Sequence, residues 1–231
     1  AKMKFAEYIT EQKNTHMTHI EDQVIYGGVN GTRQAINALR ELRNMLQGKT
    51  SGSLSVKWDG APAIICGIDP ADGKFFIGTK SVFANNAKLI KSVKDVDTLY
   101  GAQPGLAAKL RVAIQCLPKL GIGNVLQGDM MYTKADLETA EIDGEDSLVF
   151  QPNTIAYAVP KNSELGKRIA ASQMGIIFHT TYTGDNMADM QASFGANVAE
   201  LNKTSAVWFD DATYKDLSGT ASLSKTENAQ M

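Results

Sequence analysis

Apolar side chains recur at two different spacings along the chain, and the spacing changes near residue 50. Between residues 27 and 47 they return every three or four positions, which predicts an amphipathic helix after a glycine-rich turn. Downstream, apolar runs at 63–68 and 74–80 flank a turn-rich Asp-Pro-Ala-Asp-Gly segment, which predicts a β-hairpin. The pattern therefore indicates helices first and antiparallel strands afterwards.

The later part of the chain continues to alternate between strands and helices. The predicted elements are a helix at 106–117, a strand at 124–132, a strand pair within 147–160, a helix at 163–172 and a strand at 175–184. The acidic segment 136–145 is predicted as a surface helix or loop. These elements predict an α+β protein in which antiparallel sheets are flanked by helices.

Three regions follow from this pattern. Residues 1–48 are predicted as an N-terminal helical region and residues 49–200 as the main mixed domain. Residues 201–231 are polar and are predicted as a tail that breaks off before the domain is complete. The final residues, 218–231, have the composition of a disordered segment.

Composition narrows the class of protein without naming a function. The chain has 231 residues, of which 43% are hydrophobic and 21% charged, and its formal net charge is −2. No apolar run approaches the ~20 residues that span a bilayer, so a cytoplasmic protein with no membrane partner is expected. Cys66 and Cys116 have no metal-ligand spacing and are predicted to be reduced core residues. Basic residues between 80 and 119 are predicted to form solvated faces balanced by acids elsewhere, and the alternative is a local basic groove.

The most informative stretch is Ser55-Val56-Lys57-Trp58-Asp59-Gly60, which places one lysine between a short apolar run and an Asp-Gly turn. Desolvation by neighbouring apolar residues would lower the pKa of this lysine from its usual value of about 10.4 and free its lone pair. Such an amine can attack phosphorus and form a covalent intermediate. The alternative is a hairpin turn that leaves Lys57 as a solvated strand residue.

Lys57-x-Asp59-Gly60 resembles motif I of the covalent nucleotidyltransferases, the superfamily of ATP-dependent DNA ligases, RNA ligases and mRNA capping enzymes. The resemblance implies that Lys57 attacks the α-phosphate of ATP and becomes lysyl-AMP, while Asp59 orients the lysine. It also implies nucleotide contacts from Ser55, Val56 and Gly60. Because serine stands where the family often contacts adenine, the choice between ATP and GTP is left open.

Three further positions fit later motifs of the same superfamily. Lys80 follows a strand where the family has a basic residue that reaches the phosphates or ribose. Gly128-Asp129 resembles motif III, which implies that Asp129 binds the ribose or a metal-bound water. Phe150 or Tyr157 fits motif IIIa, whose aromatic ring packs near the base. The alternatives are a turn carboxylate for Asp129 and ordinary core packing for the aromatic residues.

Two motifs of the superfamily do not match. Met174-Gly175 stands where motif IV has Glu-Gly, and methionine cannot bind Mg²⁺, which demands oxygen ligands. No Lys-x-Lys resembling motif V follows. Either the protein is a divergent or inactive relative, or both motifs are encoded after residue 231, and the second explanation is the expectation. Residues 15–195 also resemble an uncharacterised group of phage proteins in this superfamily.

The resemblance implies a fold like a ligase adenylation domain or an ATP-grasp domain, with its sheets around a nucleotide cleft. The expected cofactors are ATP and Mg²⁺, and the expected partner is a DNA or RNA end with a 5′-phosphate. A phage-encoded protein of this kind would act in the host cytoplasm. The competing hypothesis is a catalytically inactive phage protein that binds a nucleotide or nucleic acid, and a purely structural protein is a third possibility.

Overall fold

The structure is a computed structural model that describes residues 19–47, 49 and 55–213. The chain divides into two compact units. The first comprises residues 1–56 and 213–231, and the second runs from Lys57 to Ala212. Among the described residues, no helix is long and apolar enough to cross a membrane.

The described part of the first unit contains two helices, α1 (Ile20–Tyr26) and α2 (Gly28–Leu46). The backbone N–H of His19 donates to the Asp22 carboxylate over 3.2 Å, which caps the first turn of α1. The helix predicted between residues 27 and 47 is confirmed by α2. Its buried positions are Gly31 and Ala35. The predictions for residues 1–18 lie outside the described residues.

The second unit is built on a six-stranded sheet. Its strands are β1 (Ala63–Ile68), β2 (Phe75–Gly78), β3 (Val125–Thr133), β7 (Met174–Thr183), β8 (Gln191–Phe194) and β9 (Val207–Asp211). The order is β2-β1-β3-β7-β8, with β9 beside the first half of β7. All pairs are antiparallel except β7 with β9. The predicted hairpin is confirmed by β1 and β2.

Two helices cover one face of this sheet, α3 (Val93–Tyr100) and α4 (Pro104–Cys116). Ser92 caps α3 by accepting from the backbone N–H of Asp95, and Pro104 opens α4, where no donor is needed. The fully buried centre of this layer includes Ile64, Cys66, Ile77, Leu110, Leu126, Met130, Ile176 and Phe178. Cys66 and Cys116 are buried free thiols in this core, as predicted.

A second, three-stranded sheet has the order β4-β5-β6, formed by β4 (Glu138–Ile142), β5 (Glu145–Phe150) and β6 (Tyr157–Pro160). Helix α5 (Glu164–Ala171) follows β6, and the Ser163 hydroxyl accepts from the backbone N–H of Gly166 to cap it. This layer packs on the other face of the large sheet through an apolar cluster that includes Met131, Tyr132, Leu148, Phe150, Ile169, Ile177 and Trp208.

The structure corrects the prediction for residues 136–145. Residues 138–142 form β4, and Asp143-Gly144, both with positive φ, turn the chain into β5. Every residue of β4 is exposed, so no apolar alternation marks the strand in the sequence. Strands β8 and β9 were not predicted, and β9 lies in the segment expected to be a polar tail. Residues 214–231 lie outside the described part of the chain. The protein is thus a mixed α+β structure with antiparallel sheets and flanking helices, as predicted.

Candidate functional site

The turn that follows Lys57 is joined directly to strand β3. The N–H of Ala61 donates to the carbonyl of Met130 over 2.9 Å, and the N–H of Met130 donates to the carbonyl of Pro62 over 3.0 Å. Ala63 is the register partner of Asp129. A Cβ on Gly60 would lie 2.6 Å from the Cβ of Asp129, closer than two carbons can pack. The structure therefore brings together the two predicted motifs at one end of β1.

The carboxylate of Asp59 fixes this turn to the loop between β5 and β6. It accepts from the side-chain amide of Asn153 over 2.8 Å and from the backbone N–H groups of Thr154 and Ile155 over 2.7 and 2.8 Å. These donors stabilise the ionised form, with the Asn153 amide foremost, and hold the pKa of Asp59 below its usual value. Asp59 is therefore a positioning residue for the turn.

Tyr157 also contacts the turn that contains Trp58 and Asp59. Its hydroxyl accepts from the backbone N–H of Asp59 over 2.9 Å, and its ring centroid lies 5.5 Å from that of Trp58. The ring of Tyr157 stacks on Phe150, which contacts Tyr132 at 4.9 Å between centroids. Because Trp58 is anchored in this aromatic run, residues 58–60 have little freedom to move.

Phe150 was the residue predicted to pack near the base. It is only 4% exposed and belongs to the apolar cluster between the sheets. This burial supports the alternative of ordinary core packing for Phe150. Tyr157, the other aromatic candidate, is half-buried and lies against the lysine turn.

Lys57 is the first residue of the second unit, and its side chain is exposed. The expectation that apolar neighbours would desolvate it is wrong for this structure. Trp58, its apolar neighbour in the sequence, packs into the aromatic run beside Tyr157. The charge of Lys57 is one of the influences that lower the pKa of Asp59.

Asp129 is half-buried in the middle of β3, where both neighbouring residues are buried. Its Oδ2 lies 3.7 Å from Nε2 of His179 on β7. His179 sits where the register between β3 and β7 shifts, so its side chain reaches the Asp129 face, and its Nδ1 lies 2.8 Å from the Thr180 hydroxyl. Asp129 is therefore a strand residue with the His179 imidazole beside its carboxylate, not a turn carboxylate.

Sequence reasoning missed His179. The only available signal was one polar residue in the apolar run of β7, and the pairing register that brings it to Asp129 cannot be read from the chain. Asp210 was also missed, because its position likewise depends on the pairing register. It pairs with Ile177, which in turn pairs with Asp129, so all three side chains lie on one face of the sheet.

Lys80 is exposed and opens a short 3₁₀ helix two residues after β2 ends at Gly78. Gly78 pairs with Ile65 near the start of β1. Lys80 therefore lies near the same end of β1 as Gly60 and the pair formed by Ala63 and Asp129. Ser55 and Val56 belong to the first unit, where Ser55 forms an isolated bridge with Thr213. Their predicted nucleotide contacts stay predictions.

Met174, at the predicted motif IV position, is fully buried between Thr133 and Val207. It contributes to the core and offers no oxygen to a cation. Among the described residues, no three His, Cys, Asp or Glu side chains are grouped as metal ligands. Mg²⁺ commonly uses only one or two protein carboxylates, and substrate phosphates and water supply its other ligands. Asp129 could supply one such carboxylate.

The second unit is thus an α+β domain with a lysine-bearing turn clamped between its two sheets and set against a half-buried carboxylate. The chain matches DUF6267, a family of unknown function, over residues 14–231, and it belongs to that family. Searches of curated proteins and of solved structures find no match to it.

Proposed function

We propose that the protein is an ATP-dependent nucleotidyltransferase that forms a lysyl-AMP intermediate on Lys57 and resembles polynucleotide ligases. One observation carries the proposal. Gly60 packs against Asp129, so the turn bearing Lys57 and the carboxylate resembling motif III meet beside the start of β1. About seventy residues separate the two motifs, so the sequence alone does not predict that they are in contact. Their contact in the structure therefore supports the match to motif I and the match to motif III.

The rigidity of the turn supports a covalent mechanism. Asp59 makes three accepted hydrogen bonds and one donated bond to Tyr157, and Trp58 is packed in the aromatic run. A nucleophile on a backbone that is already ordered reacts faster, because the conformational entropy of placing it is lost during folding and not during the reaction. The exposed side chain of Lys57 is accessible to a nucleotide that approaches this turn.

In the proposed step, the ammonium of Lys57 first gives a proton to solvent, and Nζ then forms a bond to the α-phosphorus of ATP. The bond from that phosphorus to the bridging oxygen breaks, pyrophosphate leaves with the electron pair, and a second nitrogen proton passes to solvent. Lys80 would contact the phosphates or ribose, and Asp129 would hold the ribose or Mg²⁺. When bound, Mg²⁺ supplies neutralisation of phosphate charge. The AMP would then pass to a 5′-phosphate end of DNA or RNA.

The second candidate is a nucleotide- or nucleic-acid-binding protein without chemistry. The burial of Met174 favours it, because this position cannot supply the carboxylate that the superfamily uses. Intact-mass measurement after incubation with ATP and Mg²⁺ separates the two candidates. Gain of one AMP by the protein, lost in Lys57→Ala and retained in Lys161→Ala, supports the enzyme. Nucleotide binding without mass gain supports the binding protein.

A further inference from the structure

A second basic feature lies away from the lysine turn, between helix α5 and strand β9. Lys167, Arg168 and Ala171 of α5 form one side of a cavity, and residues 203–205 form the other, with β9 at its base. The cavity has a volume of about 620 Å³. That volume is within the range of small-molecule and cofactor sites, and the lining combines charged and hydroxyl-bearing side chains with apolar ones.

Positive charge is concentrated in this cavity. Its lining contains three cations, Lys167, Arg168 and Lys203, and one carboxylate, Glu164, although the chain as a whole carries −2. Glu164 lies 3.2 Å from Lys167. Arg168 and Lys203 are exposed and form no ion pair within the described residues. Two cations are therefore available to an anion from outside.

The basic residues elsewhere in the second unit are differently placed. Lys91 donates to Asp69 and Asp72 over 2.6 and 2.8 Å, and Arg111 pairs with Asp97 at 2.5 Å. Lys109 lies 3.7 Å from Asp136. Three of the seven basic residues between positions 80 and 119 thus have carboxylate partners among the described residues. In the α5–β9 cavity, Lys167 has a carboxylate partner, whereas Arg168 and Lys203 have none among the described residues.

The uncharged residues that line the cavity indicate which class of anion would bind there. Thr204 and Ser205 contribute hydroxyl groups beside Lys203, and Trp208 and Phe209 contribute aromatic surface. Trp208 is buried and Phe209 is half-buried, so Phe209 is the more exposed of the two aromatic residues. Cations and hydroxyl groups suit phosphate oxygens, and aromatic surface beside them suits the face of a base. A nucleic-acid strand offers both chemistries along its length.

We propose that the α5–β9 cavity binds the phosphodiester backbone of a nucleic-acid strand. Arg168 grips one phosphate with its forked guanidinium, and Lys203 contacts a neighbouring phosphate as a point charge. Binding itself is independent of any chemistry at Lys57. Its use as the holding site for the acceptor of AMP rests on the proposed function.

The test is fluorescence anisotropy with labelled single-stranded DNA and RNA and with duplex DNA, over a series of salt concentrations. The variants are the double substitution Arg168→Ala/Lys203→Ala and the control Lys94→Ala/Lys119→Ala, which removes the same charge from two other exposed positions. We expect the first variant to weaken binding about 10-fold or more. For a single strand, the slope of log K against log salt concentration should become shallower by about 1.4, because two phosphate contacts are lost. The control should change affinity much less.

Two additions keep the result interpretable. Arg168→Lys/Lys203→Arg preserves the charge and should restore most of the affinity, which a mere folding defect would not allow. Lys57→Ala should bind nucleic acid normally while losing any labelling by ATP. Failure of the proposed chemistry would therefore leave this binding intact, and loss of the cavity would leave Lys57 labelling intact.

Three outcomes would overturn the inference. The first is that the wild-type protein binds none of the three nucleic acids. The second is that both double variants weaken binding equally, as a diffuse charge effect would. The third is that Arg168→Ala/Lys203→Ala abolishes binding of inorganic tripolyphosphate but leaves nucleic-acid binding unchanged, which would assign the cavity to a small polyphosphate.

Discussion

The backbone N–H of Asp59 donates to the hydroxyl of Tyr157 over 2.9 Å, across 98 residues of sequence. The carboxylate of the same aspartate accepts from the loop that leads into β6. One residue thus ties the lysine turn to the small sheet through both its backbone and its side chain. The turn is held by the fold and does not depend on a ligand to shape it.

Replacing Asp59 with Asn tests this connection. The neutral amide keeps the size of the side chain but loses a charged acceptor, and its NH₂ group must face either the Asn153 amide donor or the two backbone N–H donors of Thr154 and Ile155. We expect labelling of Lys57 by ATP to fall about 10- to 100-fold, because a displaced nucleophile loses its alignment. Hydrogen exchange at Thr154 and Ile155 should become faster. Unchanged exchange at these two amides would contradict the clamp.

The pKa of Asp59 gives a prediction on acid stability. Because its folded-state pKa lies below the usual value of 3.8, its contribution to stability is complete above that value. The contribution is lost as the pH falls through the lower folded-state pKa. Denaturant midpoints of the wild type and Asp59→Asn should therefore differ by a constant amount above about pH 5 and converge below pH 3.8. A difference that grows on acidification would reverse the sign and refute the assignment.

Gly60 should tolerate no side chain. A Cβ there would lie 2.6 Å from the Asp129 Cβ and 2.9 Å from the Met130 carbonyl oxygen, so β1 and β3 must separate. We expect Gly60→Ala to lower the free energy of unfolding by about 1–3 kcal/mol, measured by urea denaturation.

Gly105→Ala is the matched control for that substitution. Gly105 lies in α4, and a Cβ there meets nothing within 4 Å. Its replacement should be neutral or should stabilise the protein by about 0.4–1 kcal/mol. Equal destabilisation by both substitutions would show that the close approach of Gly60 to Asp129 is not the cause.

Tyr157→Phe removes the hydroxyl that accepts from Asp59 and keeps the ring beside Trp58. The expected loss is about 0.5–1.5 kcal/mol in the free energy of unfolding, the usual effect of one hydrogen bond. Labelling of Lys57 should fall further than this small loss explains, because the turn is loosened. If labelling is unaffected, Tyr157 supports the fold alone.

Phe150→Leu separates core packing from base recognition. The ring is 4% exposed, so the smaller side chain should destabilise the protein by about 1–3 kcal/mol through a cavity. The affinity of the folded protein for ATP, measured by calorimetry well below the melting temperature, should stay within about twofold if Phe150 is only a core residue. A loss of affinity beyond about tenfold would restore the role that the resemblance implies.

Most strands and helices could be predicted because their apolar residues follow a clear period. The hairpin of β1 and β2 and the helix α4 are examples, since each combines that period with strong turn or proline signals. The strand β4 could not be predicted, because all five of its residues face solvent. The strand forms because the Asp143-Gly144 turn brings residues 138–142 beside β5, which supplies their backbone hydrogen-bond partners.

The candidate site could be predicted only in part, for a related physical reason. Local motifs indicated Lys57, Asp59, Lys80 and Asp129, but the contact of Gly60 with Asp129 depends on strand register. Register also brings His179 to Asp129, and no local pattern encodes it. The prediction that neighbouring apolar residues desolvate Lys57 is wrong, because the side chain is exposed and the ring of Trp58, one of those neighbours, packs against Tyr157.

The central claim is that Lys57 becomes covalently adenylylated. The most direct measurement is the intact mass of the protein after incubation with ATP and Mg²⁺, followed by peptide mapping, with Lys57→Ala and Lys161→Ala in parallel. The account predicts the gain of one AMP on the peptide that contains Lys57, absent in Lys57→Ala and unchanged in Lys161→Ala. No gain of mass with either ATP or GTP, or an AMP that maps to another residue, would contradict it.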